Sequence, residues 1–378
     1  MHEPMPSLVA PQARVPVVFS GSKGAFAKMV LRGGVLELLT LGFYRFWLTT
    51  DMRRHLWSRT SVGGDPAEYT GRPRELLIGF LIAMAILVPL YLVFFVLTME
   101  AERLQAFASA PVGFLIYVLV QYAIYRARRY RVTRTVWRGL RFSMCGSGWS
   151  YAWRAVLWTL FTVITLGIAW PWRAAALERF KMRHTAYGSL EGAFAGTGWD
   201  LFKRIWFFAL LFPIGLITGI GMPIVYGIFK AIEWRWWVSN ITFGDLRFAN
   251  DMDWGDLIAP YFKVLGWTTL VFVLFGAVAI GIPYAAIIGF EEAPTEEQIV
   301  ALFEHPALIA SVIAGYLVFA LSIGAAARIY LMRDVWATIA KYTVVHNLHA
   351  ADDVTGQGIA SDALGEGFAD GLDIGGGF

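Results

Sequence analysis

One stretch of this chain is written twice and echoed a third time. Residues 39–77, starting Leu39-Thr40-Leu41-Gly42, align without a gap onto residues 164–202, starting Ile164-Thr165-Leu166-Gly167, at a constant offset of 125. Identical or closely similar residues fall at Thr40/Thr165, Gly42/Gly167, Trp47/Trp172, Arg54/Arg179, Thr60/Thr185, Gly63/Gly188, Tyr69/Phe194 and Gly71/Gly196. A weaker copy begins at Ile217-Thr218-Gly219. A recurring unit is one structural element used several times, and that constrains architecture more than chemistry.

The solvent around such units follows from composition. Of 378 residues, 57% are hydrophobic and 16% are charged, too few charges to cover a water-exposed surface. The 16 Trp, 15 Tyr and 28 Phe suit a membrane–water boundary. The single cysteine, Cys145, excludes an intramolecular disulfide framework and a cysteine-based metal cluster, and reads as a small buried or interfacial residue. Residues 1–24 hold Pro, Gly and charges without an apolar core, so no cleavable signal is expected there.

Leu76–Leu97 and Val264–Ile288 are uncharged stretches long enough to cross about 30 Å of hydrocarbon. Their expected return partners are Val112–Ile124 and Ala307–Ala327. The connections at 98–110 and 290–306 are poor in cations. Residues 50–75, 125–154, 173–204, 228–263 and 327–350 together hold 26 of the 32 Lys and Arg. The positive-inside rule places all five of these segments in the cytoplasm. The apolar stretches 26–47, 152–172 and 205–229 are then expected to enter the membrane and return, with Thr-x-Gly or Gly/Pro clusters at their breaks. Ordinary single crossings are the competing reading.

Short alternating runs with Gly or Asp turns precede Tyr69-Thr70-Gly71, Phe194-Ala195-Gly196 and Phe248-Ala249; related pairs are Phe19-Ser20-Gly21 and Phe142-Ser143. They read as short antiparallel strands, giving a unit of strand, apolar helix, turn, Trp/Arg-rich helix, strand.

The motifs Phe19-Ser20-Gly21, Leu38-Leu39-Thr40-Leu41-Gly42-Phe43-Tyr44 leading to Trp47, Arg53-Arg54, Arg128-Arg129-Tyr130-Arg131 with Trp137-Arg138-Gly139-Leu140-Arg141-Phe142, and Thr165-Leu166-Gly167 leading to Pro171-Trp172 carry a family likeness. In them the chain resembles the YjgN-like family of bacterial inner-membrane proteins of unknown function. The resemblance implies a polytopic membrane protein and brings no activity or catalytic residues with it. Around Trp47 the chain departs from the family pattern, with Arg45-Phe46 and Leu48 replacing small or Pro-containing sequence.

The densest basic cluster, Arg126 to Arg141, is interleaved with Tyr125, Tyr130 and Trp137. Within it, Arg128, Arg129, Arg131, Arg134, Trp137 and Arg138 are candidates for contact with anionic lipid head groups, the alternative being a topology signal with snorkelling stems. No motif accompanies the charge to suggest nucleic acid. Arg32 and Glu37 lie inside the first apolar stretch and read as interfacial. His346-x-x-His349 with Asp352-Asp353 reads as a polar helix terminus, and Asp245, Asp251, Asp253 and Asp256 read as turn and cap residues. No catalytic, cofactor-binding or metal-ligating set is legible, so a non-enzymatic role is expected.

The expectation is therefore a mainly α, polytopic integral membrane protein of repeated helical hairpins with short cytoplasmic β-strands. One membrane domain would span 1–350, with apolar segments at about 26–47, 76–97, 112–124, 152–172, 205–229, 264–288 and 307–327. Residues 351–378, acidic and Gly-rich, would form a disordered tail. The functional expectation is a lipid-associated scaffold of the bacterial inner membrane, with membrane lipids as partners. The alternative is a small-molecule transporter or channel.

Overall fold

A computed structural model describes residues 14–104, 110–219, 221–289 and 295–356. Five sectors follow one another, and each leaves a strand, runs out along helix, returns along helix and ends in a strand. The first is β1 (Arg14–Phe19), α1 (Lys23–Leu39), α2 (Arg45–Ser58) and β2 (Thr60–Val62). The second is β3 (Asp65–Tyr69), α3 (Pro73–Leu104), α4 (Ala110–Thr133) and β4 (Thr135–Trp137). The third is β5 (Leu140–Met144), α5 (Gly148–Ile164), α6 (Trp170–Arg183) and β6 (Thr185–Tyr187). In the fourth, β7 (Leu190–Phe194) leads into α7 (Gly198–Ile205) and α8 (Phe208–Thr218), and α9 (Met222–Val238) returns to β8 (Ile241–Phe243). In the fifth, β9 (Leu246–Asn250) leads into α10 (Ile258–Ile288), α11 (Glu296–Phe303) and α12 (Pro306–Ala326). A π-helical stretch, Ala327–Asp334, then joins α12 to α13 (Val335–Lys341), which ends in β10 (Thr343–His346).

The ten strands close into one antiparallel barrel, with β1 paired to β2 on one side and to β10 on the other. This overturns the expectation of a mainly α fold carrying only short strands. Strands this short cannot stand as an open layer, because two unpaired edges would remain; closure satisfies both. Alternation of strand direction puts every helical excursion at one rim and every tight turn at the other. At the turn rim, Gly63-Gly64 and Arg138-Gly139 have positive φ at both residues (64° and 92°; 48° and 74°), the backbone a two-residue hairpin demands.

At the helical rim each sector is clamped by one backbone bond across its base. The donors are the amides of Ser20, Thr70, Cys145, Ala195 and Asp251, and the acceptors are the carbonyls of Arg59, Arg134, His184, Asn240 and Tyr342, at 2.8–3.0 Å. Two sequence assignments shift accordingly. The rim residues are Met144-Cys145 and Asn250-Asp251; Phe142 and Phe248 lie two residues earlier and line the bore. Of the two readings of Cys145, buried or interfacial, the buried one is excluded, since the residue is exposed. Helix starts at this rim are capped by Ser22, Ser147 and Thr197, whose hydroxyls accept from the amides of Ala25, Ser150 and Asp200.

Among the described residues, four helical stretches are long and apolar enough to cross a membrane: Pro73–Met99, Ala110–Thr133, Ile258–Ala285 and Pro306–Lys341. The helices α7 and α8 meet at a 48° bend and together make a further apolar pair. The tips of the shorter excursions expose apolar side chains almost completely, Leu41 at 91%, Leu166 at 93% and Ile217 at 85%. The barrel interior is packed by Trp137, Tyr187, Phe243, Leu246 and Val345, joined by Ala351 from beyond β10. His346 ends a strand, not the helix expected for it, and a 3-10 turn, Leu348–Ala351, follows. Of the stretch expected to form an acidic tail, residues 351–356 pack at the turn rim, and 357–378 lie outside the described residues.

Candidate functional site

Where the five returning helices α2, α4, α6, α9 and α13 run into their strands, they enclose a cavity of about 410 Å³. All five sectors contribute to its wall, so it lies on the barrel axis. A second space of about 230 Å³ lies within the bore and shares Trp57, Thr60, Thr135, Phe142, Phe243, Phe248 and Trp336 with the first. The two adjoin across this shared wall, the larger among the helices and the smaller inside the barrel.

The wall has a layered chemistry set by distance from the strands. At the strand starts stand Thr60, Thr135, Thr185 and Thr343, with Ile241 as the fifth member. Each threonine hydroxyl donates to the carbonyl four residues back, at 2.7–2.9 Å, which holds the helix-to-strand junction. Two tryptophans tie neighbouring sectors through these hydroxyls. Trp57 Nε1 donates to Thr135 Oγ1 at 3.0 Å, and Trp336 Nε1 donates to Thr60 Oγ1 at 2.9 Å. Their rings stack at 4.8 Å. With both indole N–H groups satisfied, they present apolar faces to the cavity.

Among the described residues, charge enters the cavity only from α4. Arg128 and Arg131, three residues apart on one helix face, both line the cavity. Arg128 meets Glu178 of α6 at 2.6 Å and lies 5.5 Å over the ring of Trp237. Lys181 closes on the same carboxylate at 2.6 Å. Burial pushes the Glu178 carboxyl up, but Arg128 and Lys181 outweigh it and hold it down at about 2. The trio carries net positive charge at the edge of an otherwise apolar recess.

The six residues expected to touch lipid head groups therefore part company. Arg128 and Arg131 enter the cavity. Arg134 pairs with Glu75 at 2.8 Å on the flank of α3 and α4. Arg129 is half-buried, with an Nε that finds no acceptor. Trp137 lies inside the bore, donating to the Asp65 carbonyl at 3.2 Å. Arg138 sits at the turn rim between Asp65 at 2.6 Å and Asp352 at 2.7 Å. The other candidates resolve simply. Glu37 pairs with Arg328 at 2.7 Å. Asp256 accepts from the Asp253 amide and the Tyr342 hydroxyl, at 2.7 and 3.0 Å, a capping role. Among the described residues no three His, Cys, Asp or Glu side chains gather to hold a metal ion.

Sequence reading overlooked the tryptophan and threonine layers. A threonine opening each of four short strands was visible in the chain; what hid the ring is that its members lie up to 283 residues apart.

The fold is thus a ten-stranded barrel around an axial recess, crowned by helical excursions of which four, among the described residues, are long and apolar enough to cross a membrane. By sequence, the chain belongs to the family described as bacterial protein of unknown function (DUF898), whose model matches residues 14–232, from β1 into α9. No curated protein and no solved structure matches the chain.

Proposed function

We propose that this is a non-enzymatic, lipid-associated protein of the bacterial inner membrane that holds an amphipathic anion in its axial recess. In this reading α3, α4, α10 and α12 cross the membrane, the shorter excursions enter it and return, and the barrel faces the cytoplasm. The supporting observation is the recess itself: an apolar wall of tryptophan, phenylalanine and aliphatic side chains with Arg128 and Arg131 at one edge. Apolar surface would take a hydrocarbon portion, and the guanidinium groups would take a carboxylate or phosphate at its end. Sidedness rests on the five cation-rich segments, all of which meet the barrel end of the molecule.

The axial position of the recess, in line with the bore, favours a second reading as a passage for small molecules. Residues at the turn rim, including Leu348, would then have to move, since Leu348 lines the inner space.

The test is energy transfer from the cavity tryptophans to a fluorescent long-chain fatty acid, on the full chain in nanodiscs. Saturable binding is expected, weakened at least tenfold by Arg131→Gln and by the cavity-filling change Val238→Trp, and weaker for the uncharged alcohol analogue. Equal binding of acid and alcohol by all variants would rule the proposal out. Ion or solute flux in reconstituted vesicles, blocked by Val238→Trp, would favour the second reading. Sidedness is checked in a Cys145→Ser background: cysteines at 64 and 190 should label only from the cytoplasmic side, and one at 297 only from the other.

A further inference from the structure

We propose a second site, separate from the axial recess, in the groove between α5 and α6, where a phosphate-type anion binds. The groove measures about 500 Å³. Ser150, Arg154 and Trp158 reach it from one ridge of α5, spaced four residues apart, and Arg179 and Arg183 reach it from a matching ridge of α6. His184 completes the wall at the end of α6. Among the described residues no carboxylate lines it. The acidic residue on this part of α6, Glu178, is buried on the cavity side with Arg128 and Lys181.

Arg154 and Arg179 are held in place without being neutralised by any described carboxylate. Arg154 lies 4.5 Å over the Phe180 ring and donates to the Ser150 carbonyl at 3.0 Å and to the Ser150 hydroxyl. Arg179 spends one nitrogen on the Gly196 carbonyl at 2.9 Å. His184 is fixed through Nδ1 against the Phe180 carbonyl at 2.7 Å. Arg183 makes no hydrogen bond or ion pair with any described residue. Three guanidinium groups line the groove with no described counter-ion, and a bound oxyanion would take charge-assisted hydrogen bonds from them.

The groove is not a by-product of the fold. In the first sector the positions 125 residues earlier are Ala25, Met29, Gly33, Arg54, Ser58 and Arg59. There a Cβ on Gly33 would lie 2.4 Å from Leu48, so α1 packs on α2 too closely for a side chain at the position that Trp158 holds in the third sector. The groove's depth in the molecule suits a lipid phosphate. Trp149 and Trp153, both exposed, mark the barrel end of α5, and exposed Leu157, Leu160 and Phe161 follow. A phosphodiester of a lipid head group and free phosphate share this chemistry.

The experiment uses the full chain, with Arg154→Gln/Arg183→Gln as the test variant and Arg204→Gln as a charge control outside the groove. Native mass spectrometry reads retention of phosphatidylglycerol against phosphatidylcholine, and calorimetry reads binding of inorganic phosphate. Both changed arginines are on the surface, and the melting temperature is checked to stay within a few degrees. At least a tenfold loss of phosphatidylglycerol retention in the double variant, with the control within twofold, supports a lipid source. The same loss in the phosphate titration supports a free-phosphate source. Absence of binding in both arms with the unchanged protein, or equal losses in the double variant and the control, overturns the site.

Discussion

The first and third sectors share a frame and differ in what fills it. In both, a threonine closes the outgoing helix: Thr40 Oγ1 donates to the Leu36 carbonyl at 2.7 Å and accepts from the Tyr44 amide at 2.9 Å, and Thr165 does the same with Phe161 and Ala169 at 2.9 and 3.1 Å. The next two residues have positive φ in each, 50° and 90° at Leu41-Gly42 and 49° and 91° at Leu166-Gly167. On the way back, Arg54 and Arg179 each donate to a carbonyl 17 residues ahead, Gly71 and Gly196, at 2.9 Å. The filling departs from this at once. Where the first sector has Arg53, bonded to the Tyr69 hydroxyl at 3.2 Å, the third has Glu178. A few backbone-directed bonds hold the shape, which leaves the remaining side chains free to build a closed core in one sector and a basic groove in the other.

The largest expected effect belongs to the filling. Glu178→Gln leaves Arg128 and Lys181 facing each other without their shared carboxylate. Breaking a buried pair in this way costs about 3–5 kcal/mol, read as a fall in unfolding free energy or melting temperature in detergent. Acid gives an independent handle. Because the folded carboxyl sits at about 2, below its ordinary 4.5, its contribution is complete above about pH 4.5 and is lost as pH falls towards 2. The unchanged protein should lose stability over that window more steeply than Glu178→Gln. Parallel acid profiles for the two would show that the carboxylate is not held by its neighbours.

Next come the arginines of the frame. Arg54→Gln and Arg179→Gln each remove a charge-assisted bond to a carbonyl, worth about 1.5–3 kcal/mol. The two losses should agree within about 0.5 kcal/mol if the sectors share one frame; a difference of 2 kcal/mol would mean that the filling, and not the bond, sets the value of the position. Arg179 also lines the basic groove, so its variant alone should lower anion retention, while Arg54→Gln leaves it unchanged.

How far the chain could be read without its structure depended on sequence distance. The Thr-x-Gly breaks were legible because donor, acceptor and the positive-φ residues lie within six positions of one another. The long apolar helices were legible because each is one continuous run. Barrel closure was not, since strands of three to six residues carry too little pattern, and the pairing that closes the ring joins Arg14 to His346. The aromatic signature misled for a related reason: in the third and fifth sectors the rim position passes to Met144 and Asn250, while the nearest phenylalanine turns into the bore. The basic cluster was visible as density. Its division between cavity, flank and turn rim needed the helix end at Thr133, beyond which Arg134 and Arg138 leave the face that Arg128 and Arg131 share.

The smallest effect tests the frame most directly. Thr40→Val and Thr165→Val keep shape and remove a single hydroxyl, which in each case both donates to the helix and accepts from the returning chain. Neither hydroxyl belongs to the cavity or the groove, so ligand binding should not change. A loss of about 1 kcal/mol in each is expected. Hydrogen exchange should show it locally, with faster exchange at the Tyr44 amide in one variant and at the Ala169 amide in the other. If the tips lie in lipid, spin labels at positions 41 and 166, placed in a Cys145→Ser background in nanodiscs, should collide more often with oxygen than with a water-soluble nickel chelate. The reverse preference would place the tips in water and rule out the reading of the short excursions as membrane-entering.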